Sequence, residues 1–187
     1  MYRRGVKRGA KGTGKDPFGA ALCNIEFIGP SHLVGRDGRW VGERHRMPLV
    51  QIASNSEAQS KDMLRVANGL LCQEARDYYG IDCGETRTIL KDSGGRMEIL
   101  TASEKSAEGD PATFIALNES HHMTESSGGH RVAAVARRNV GKSPAELQAR
   151  VCEFTNAHVP GTDSEAERSY EAWQAQVSGR AKRQDIL

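Results

Sequence analysis

Seven residues near the amino end, Gly9-Ala10-Lys11-Gly12-Thr13-Gly14-Lys15, satisfy the spacing G-x-x-x-x-G-K. Glycines so placed let successive backbone N–H groups turn inward and cradle phosphate oxygens. A helix starting there adds positive potential, and Lys15 can reach the β- and γ-phosphates of a nucleotide. Asp16 follows, where such loops normally carry serine or threonine. A second stretch, "TFIALNES", is an apolar run that ends in Asn118 and Glu119. That pattern fits a strand tip that delivers a metal-associated group and then a carboxylate able to polarise water, so Glu119 is the candidate base. Each motif also has a plainer reading: an ordinary glycine-rich turn for the first, a strand ending in exposed polar residues for the second.

Other reactive residue types form no comparable pattern. His121 and His122 are adjacent, with no further Cys or His at ligand spacing, and read as surface or helix-start residues. Cys23, Cys72, Cys83 and Cys152 form no C-x-x-C pair, which argues against a zinc site and fits free thiols in a reducing compartment.

The elements that must position these residues alternate. "YRRGV" reads as a strand leading into the glycine-rich turn, and "DPFGAALCNIEFIG" has helical apolar spacing with Pro17 in the first turn. Residues 29–47, rich in Gly, Arg and charge, read as an exposed loop. "PLVQIAS" is a strand, followed by a helix from about Ser56 to Tyr79 with Met63, Leu64, Ala67, Leu70 and Leu71 on one side. "ETRTILKDSGGRMEILTAS" reads as a hairpin around Asp92-Ser93-Gly94-Gly95. The run over 112–119 reads as a buried parallel strand. A helix follows across Gly129 to Arg138, stopped near Asn139-Val140-Gly141, then the strand "ARVCEFTNA" and a final helix, "DSEAERSYEAWQAQVSGRAKR", with an acidic cap. Strands alternating with helices predict an α/β domain with a mainly parallel sheet.

Length and composition suit one such domain: 187 residues, 27% charged and 37% apolar, with net charge +2. That charge does not by itself imply nucleic acid. Arg3, Arg4, Lys7, Arg8, Lys11 and Lys15 nevertheless crowd the amino end, either as a solvated basic end or as a patch facing phosphate or DNA. No apolar run approaches the roughly 20 residues of a membrane span, and a cytoplasmic location is expected.

Taken in order, "RRGVKRGAKGTGKDPFGAAL", "QIASNSEAQ", "SAEGDPATFIALNESHHMTES", "GGHRVAAVARRN" and "FTNAHVPGTDSEAE" resemble the ATPase domain of tailed-phage terminase large subunits, in the form found in actinobacterial phages and prophages. The resemblance covers nearly the whole chain. It implies a P-loop NTPase-type three-layer α/β/α fold and a DNA-packaging motor that uses ATP and Mg²⁺. The implied partners are double-stranded viral DNA, a portal protein and a small terminase subunit, with a ring, usually a pentamer, on the portal. By position, Gly9 to Asp16 resembles Walker A, Asn118-Glu119 resembles Walker B, and Thr155-Asn156-Ala157 looks like the coupling motif that senses the γ-phosphate. Apart from the resemblance, Thr155-Asn156 reads as a strand-to-turn junction.

The chain departs from that pattern at two positions. Asp16 replaces the hydroxyl residue that ligates Mg²⁺, and Asn118 replaces the Walker B aspartate with a poorer oxygen ligand. Asp16 is expected to supply, directly or through water, the acid that Asn118 lacks. The chain is also expected to be a partial domain. The upstream adenine-holding segment and a nuclease domain lie outside residues 1–187, and the missing strands leave a sheet edge and part of the core exposed. Arg137 and Arg138 are candidates for a trans-acting arginine only in being basic, and both read equally well as part of a solvated helix face. Competing readings are a catalytically impaired nucleotide- or DNA-binding fragment of a prophage terminase, and a small P-loop kinase, for which no arginine-rich lid is evident.

Overall fold

The computed structural model describes residues 3–100, 111–182 and 184–187. Met1, Tyr2, Arg183 and residues 101–110, which include the end of the expected hairpin, lie outside them. Strands β1 (Arg4–Arg8), β4 (Leu49–Ala53), β7 (Arg96–Leu100), β8 (Phe114–Asn118) and β9 (Arg150–Thr155) run parallel, and β5 (Ile81–Cys83) and β6 (Arg87–Leu90) continue the sheet antiparallel. The order is β1-β9-β8-β4-β7-β6-β5. The expected mainly parallel α/β sheet is what forms.

Every residue of β4 and β8 is buried because helices cover both faces. Val50, Ile52, Phe114 and Ala116 meet Ala20 and Phe27 of α1 (Lys15–Ile28) and Met63 and Leu64 of α2 (Glu57–Gly69). The alternate residues Leu49, Ala53, Ile115 and Leu117 meet Val132, Ala133, Ala136 and Val140 of α4 (Gly129–Lys142). The two-residue strand period thus divides one sheet between two cores and gives three layers. The last helix, α5 (Glu165–Val177), starts at Ser164, whose hydroxyl accepts from the Glu167 N–H; the expected acidic cap is a serine cap followed by acids.

Four local expectations are corrected. Residues 29–47 are mostly exposed, with His45 buried, but not irregular: β2 (His32–Arg36) and β3 (Arg39–Glu43) pair as a hairpin, turned by Asp37 and Gly38, both at positive φ. The Gln148 side chain bridges both backbone groups of Leu33 and anchors the hairpin. The helix expected to Tyr79 breaks after Gly69 and resumes as α3 (Gln73–Tyr79). Arg76 donates to the carbonyls of Asn68 and Leu71 at the break, and Leu70 is exposed while Leu71 is buried. Helix α4 runs through Asn139-Val140-Gly141, because Val140 packs in the core and Asn139 donates to buried Gln51 at 3.1 Å. Finally, the outer edge of β1 is not bare. Arg4 and Val6 N–H groups donate to Asp185 and Leu187 carbonyls, and Leu187 N–H donates back to Arg4.

Candidate functional site

The tips of β1, β9 and β8 lie side by side, tied across their ends. Gly9 N–H donates to Thr155 O at 3.0 Å, and Glu119 N–H to Phe154 O at 2.8 Å. This is the carboxyl edge of a parallel sheet, where ligands of open α/β folds bind. Three stretches far apart in the chain are brought to one place by strand order alone.

From β1 the chain enters an exposed loop over residues 10–14 and then starts α1. Gly12 and Gly14 sit at φ +83° and +76°, the left-handed region that a side chain strains, so glycine is required at both. Among the described residues, no hydrogen bond engages the amides of Ala10, Lys11, Gly12 or Gly14. Four such amides, on exposed residues ahead of a 14-residue helix, are suited to an anion.

Lys15 is only 6% exposed. Its Nζ donates to Asp16 Oδ1 at 3.0 Å and to Glu119 Oε1. Burial pulls the ammonium pKa down, but the bonds to Glu119 and Asp16 outweigh it and hold the pKa above the ordinary lysine value. Glu119 sits one residue past β8 at φ 57°, a strained backbone for a non-glycine residue that turns the chain sharply as it leaves the strand. Its other oxygen, Oε2, lies 3.2 Å from His121 Nε2 and 3.5 Å from Asn156 Nδ2.

Asp16, Asn118 and Glu119 line one cleft of about 250 Å³ with Gln59 and Asp62 of α2. Asn118 Oδ1 is buried and has no hydrogen-bond partner, and neither has Gln59 Oε1. Orphaned buried oxygens are costly unless something fills their lone pairs. Together with the Asp16 carboxylate they form a set of hard oxygen donors, which fits Mg²⁺.

The sequence-selected residues Gly9 to Asp16, Asn118, Glu119, Thr155 and Asn156 therefore converge. His121 belongs with them, although its sequence context points to the surface. It is 12% exposed, and its backbone N–H donates to Thr155 Oγ1 at 3.2 Å. Adjacent histidines carry no spacing signal; only the fold of the turn after Glu119 separates half-buried His121 from exposed His122. Arg137 takes a structural place instead. It pairs with Glu165 and lies 3.7 Å from Glu153, both almost wholly buried. The amino-end cations also divide: Arg4 lies 3.5 Å from Glu153, and Lys7 and Arg8 stack over Phe18 and Tyr170. The basic end is thus largely engaged within the fold.

No protein-family model matches the chain. It is 34% identical over 189 residues to the Gene 13 protein of Mycobacterium phage D29, and 34% identical over 187 residues to the Gene 13 protein of Mycobacterium phage L5. These matches cover 97% and 96% of this chain and 31% of each relative, so it spans about a third of their length. The crystal structure of the HK97 bacteriophage large terminase superposes on all of this chain and 34% of that one, with a TM-score of 0.68 at 10% identity. The chain shares its α/β fold with a phage large terminase. Among the described residues no helix is long and apolar enough to cross a membrane.

Proposed function

We propose that this chain is the ATP-hydrolysing motor domain of a phage large terminase, acting in the host cytoplasm to drive double-stranded viral DNA into a capsid. The observation that carries the reading is the contact of Lys15 with Glu119 at the tips of neighbouring strands, beside a loop of unengaged amides. Similarity to phage proteins and the terminase fold support it. A portal protein, a small terminase subunit and a ring of copies, usually five in such motors, are the partners the reading entails.

The loop amides grip the polyphosphate, and Lys15 turns from Glu119 Oε1 to the β- and γ-phosphates. That transfer leaves Oε1 free to accept a proton from the water that attacks the γ-phosphorus, as the bond to the ADP oxygen breaks. Asp16 and the unpartnered oxygen of Asn118 would hold Mg²⁺, which when bound offsets phosphate charge. Thr155 and Asn156, bonded to Gly9 and Glu119, follow changes at both.

Titration with a fluorescent ATP analogue and Mg²⁺, beside an assay of phosphate release, tests this. Lys15→Ala should weaken binding about tenfold to a hundredfold and abolish release. Unchanged binding and turnover in that variant would remove the phosphate-loop reading. The amide at Asn118 favours one alternative, a domain that binds ATP without turning it over; saturable binding with no phosphate released would establish it.

A further inference from the structure

We propose that His121 is a positioning residue that holds Glu119 Oε2 in place while Lys15 leaves Oε1, and that it ties this carboxylate to the Thr155-Asn156 strand tip. The inference rests on the reading of Glu119 as the base.

The hydrogen-bond directions at the ring support it. Asn156 backbone N–H, 3.4 Å from His121 Nδ1, can only donate, so Nδ1 accepts. In a neutral ring the proton then resides on Nε2, which lies 3.2 Å from Glu119 Oε2 and faces it as the partner of an ion-pair contact. Asn156 Nδ2 lies 3.3 Å from that same ring nitrogen, but two donors cannot bond; its proton goes to Glu119 Oε2 at 3.5 Å. Oε2 thus accepts from a ring and an amide, both fixed to β9, while Oε1 accepts from a lysine on the phosphate loop. Loss of the lysine bond leaves the carboxylate oriented by His121 and Asn156. Thr155 Oγ1 accepts from the His121 backbone N–H at 3.2 Å and lies 3.2 Å from Nδ1, so its proton, 3.0 Å from the Asn156 carbonyl, turns to Nδ1 in this tautomer and holds the ring from its other side. Burial, followed by the charge of His122, lowers the ring pKa despite Glu119, in keeping with a neutral ring.

The test compares His121→Ala and His121→Gln with the parent chain, using steady-state ATP hydrolysis, nucleotide affinity and thermal unfolding. Truncation to alanine should lower kcat about tenfold to a hundredfold while KM and nucleotide affinity stay within about twofold. Glutamine, whose Nε2 can donate to Oε2, should recover most of the rate. An alanine variant with near-parental kcat, a loss confined to KM, or a glutamine variant no better than alanine would each overturn the inference. ¹⁵N NMR of the ring supplies a readout independent of turnover. It should show the neutral Nε2–H tautomer; the Nδ1–H tautomer or a cation at neutral pH would refute the proposal even in a chain without ATPase activity. If the parent hydrolyses ATP and Lys15→Ala does not, failure of these arms counts against His121 alone. A Lys15→Ala chain that still hydrolyses ATP counts against the phosphate-loop reading instead.

Discussion

Lys15 Nζ donates to Glu119 Oε1, so the cation suited to hold phosphate is bonded to the acid suited to activate water. Without a nucleotide each group satisfies the other, and neither is left as an unpaired charge at the strand tips. In the proposed function the bond is also an obstacle: a polyphosphate would have to win Lys15 from Glu119 before the proposed base is released, which would couple binding to activation through one ion pair.

The exchange of acid for amide at the proposed metal position predicts a reciprocal pair. Asp16 and Asn118 line one cleft, so Asp16→Ser should abolish Mg-ATP hydrolysis and Asp16→Ser with Asn118→Asp should restore it. Phosphate release across the four-member cycle checks this. Additive losses, or a harmless Asp16→Ser, would show that Asp16 does not compensate.

Arg137 is expected to matter for stability rather than for a neighbouring subunit's phosphate. It serves Glu153 and Glu165, and burial raises the Glu153 pKa against the opposing pulls of Ser169, Arg137 and Arg4. Because Arg137 is 34% exposed, Arg137→Ala should cost about 2 kcal/mol, below the ~3–5 kcal/mol of a fully buried pair. In a chain of this size that lowers Tm by roughly 4–8 °C. A scanning calorimetry shift under 1 °C would contradict the assignment.

Acid should weaken the fold through His45. Its ring stacks on His32 at 5.0 Å, and burial, followed by the charges of His32 and Arg150, lowers its pKa to about 4. The unfolded chain, with a histidine pKa of about 6.5, takes up the proton more readily. This contribution is therefore full above about pH 6.5 and is lost as pH falls toward 4. Buried Glu26, whose pKa burial raises, acts in the opposite sense, so the difference between parent and variant isolates the histidine. Urea midpoints at several pH values should converge for parent and His45→Gln as acid is added. Parallel curves would contradict it.

The sequence made the strand tips legible because a buried parallel strand is an apolar run, and the polar residues that end it stand out. Asn118-Glu119 is readable for that reason and the glycine-rich loop by its glycines, whereas Thr155-Asn156, apart from the family resemblance, reads only as a strand-to-turn junction. His121 was hidden, since its burial comes from a turn whose conformation depends on Glu119 adopting positive φ. The hairpin over β2 and β3 lacks an apolar face, so periodicity missed it; Asp37-Gly38 was its one local sign. Asn139-Val140-Gly141 looked like a helix stop, and tertiary packing of Val140 and Asn139 overrode that preference. The break after Gly69 depends on Arg76, a partner seven residues further along the chain.

The most direct test of the account is Glu119→Gln, assayed for Mg-ATP affinity and phosphate release on the same preparation. Glutamine keeps the shape but cannot take a proton, and it frees Lys15 from its ion pair. The account predicts ATP binding as tight as in the parent or a few-fold tighter, with release slowed by about a hundredfold or more. Release at the parental rate, or loss of ATP binding in a folded variant, would contradict it.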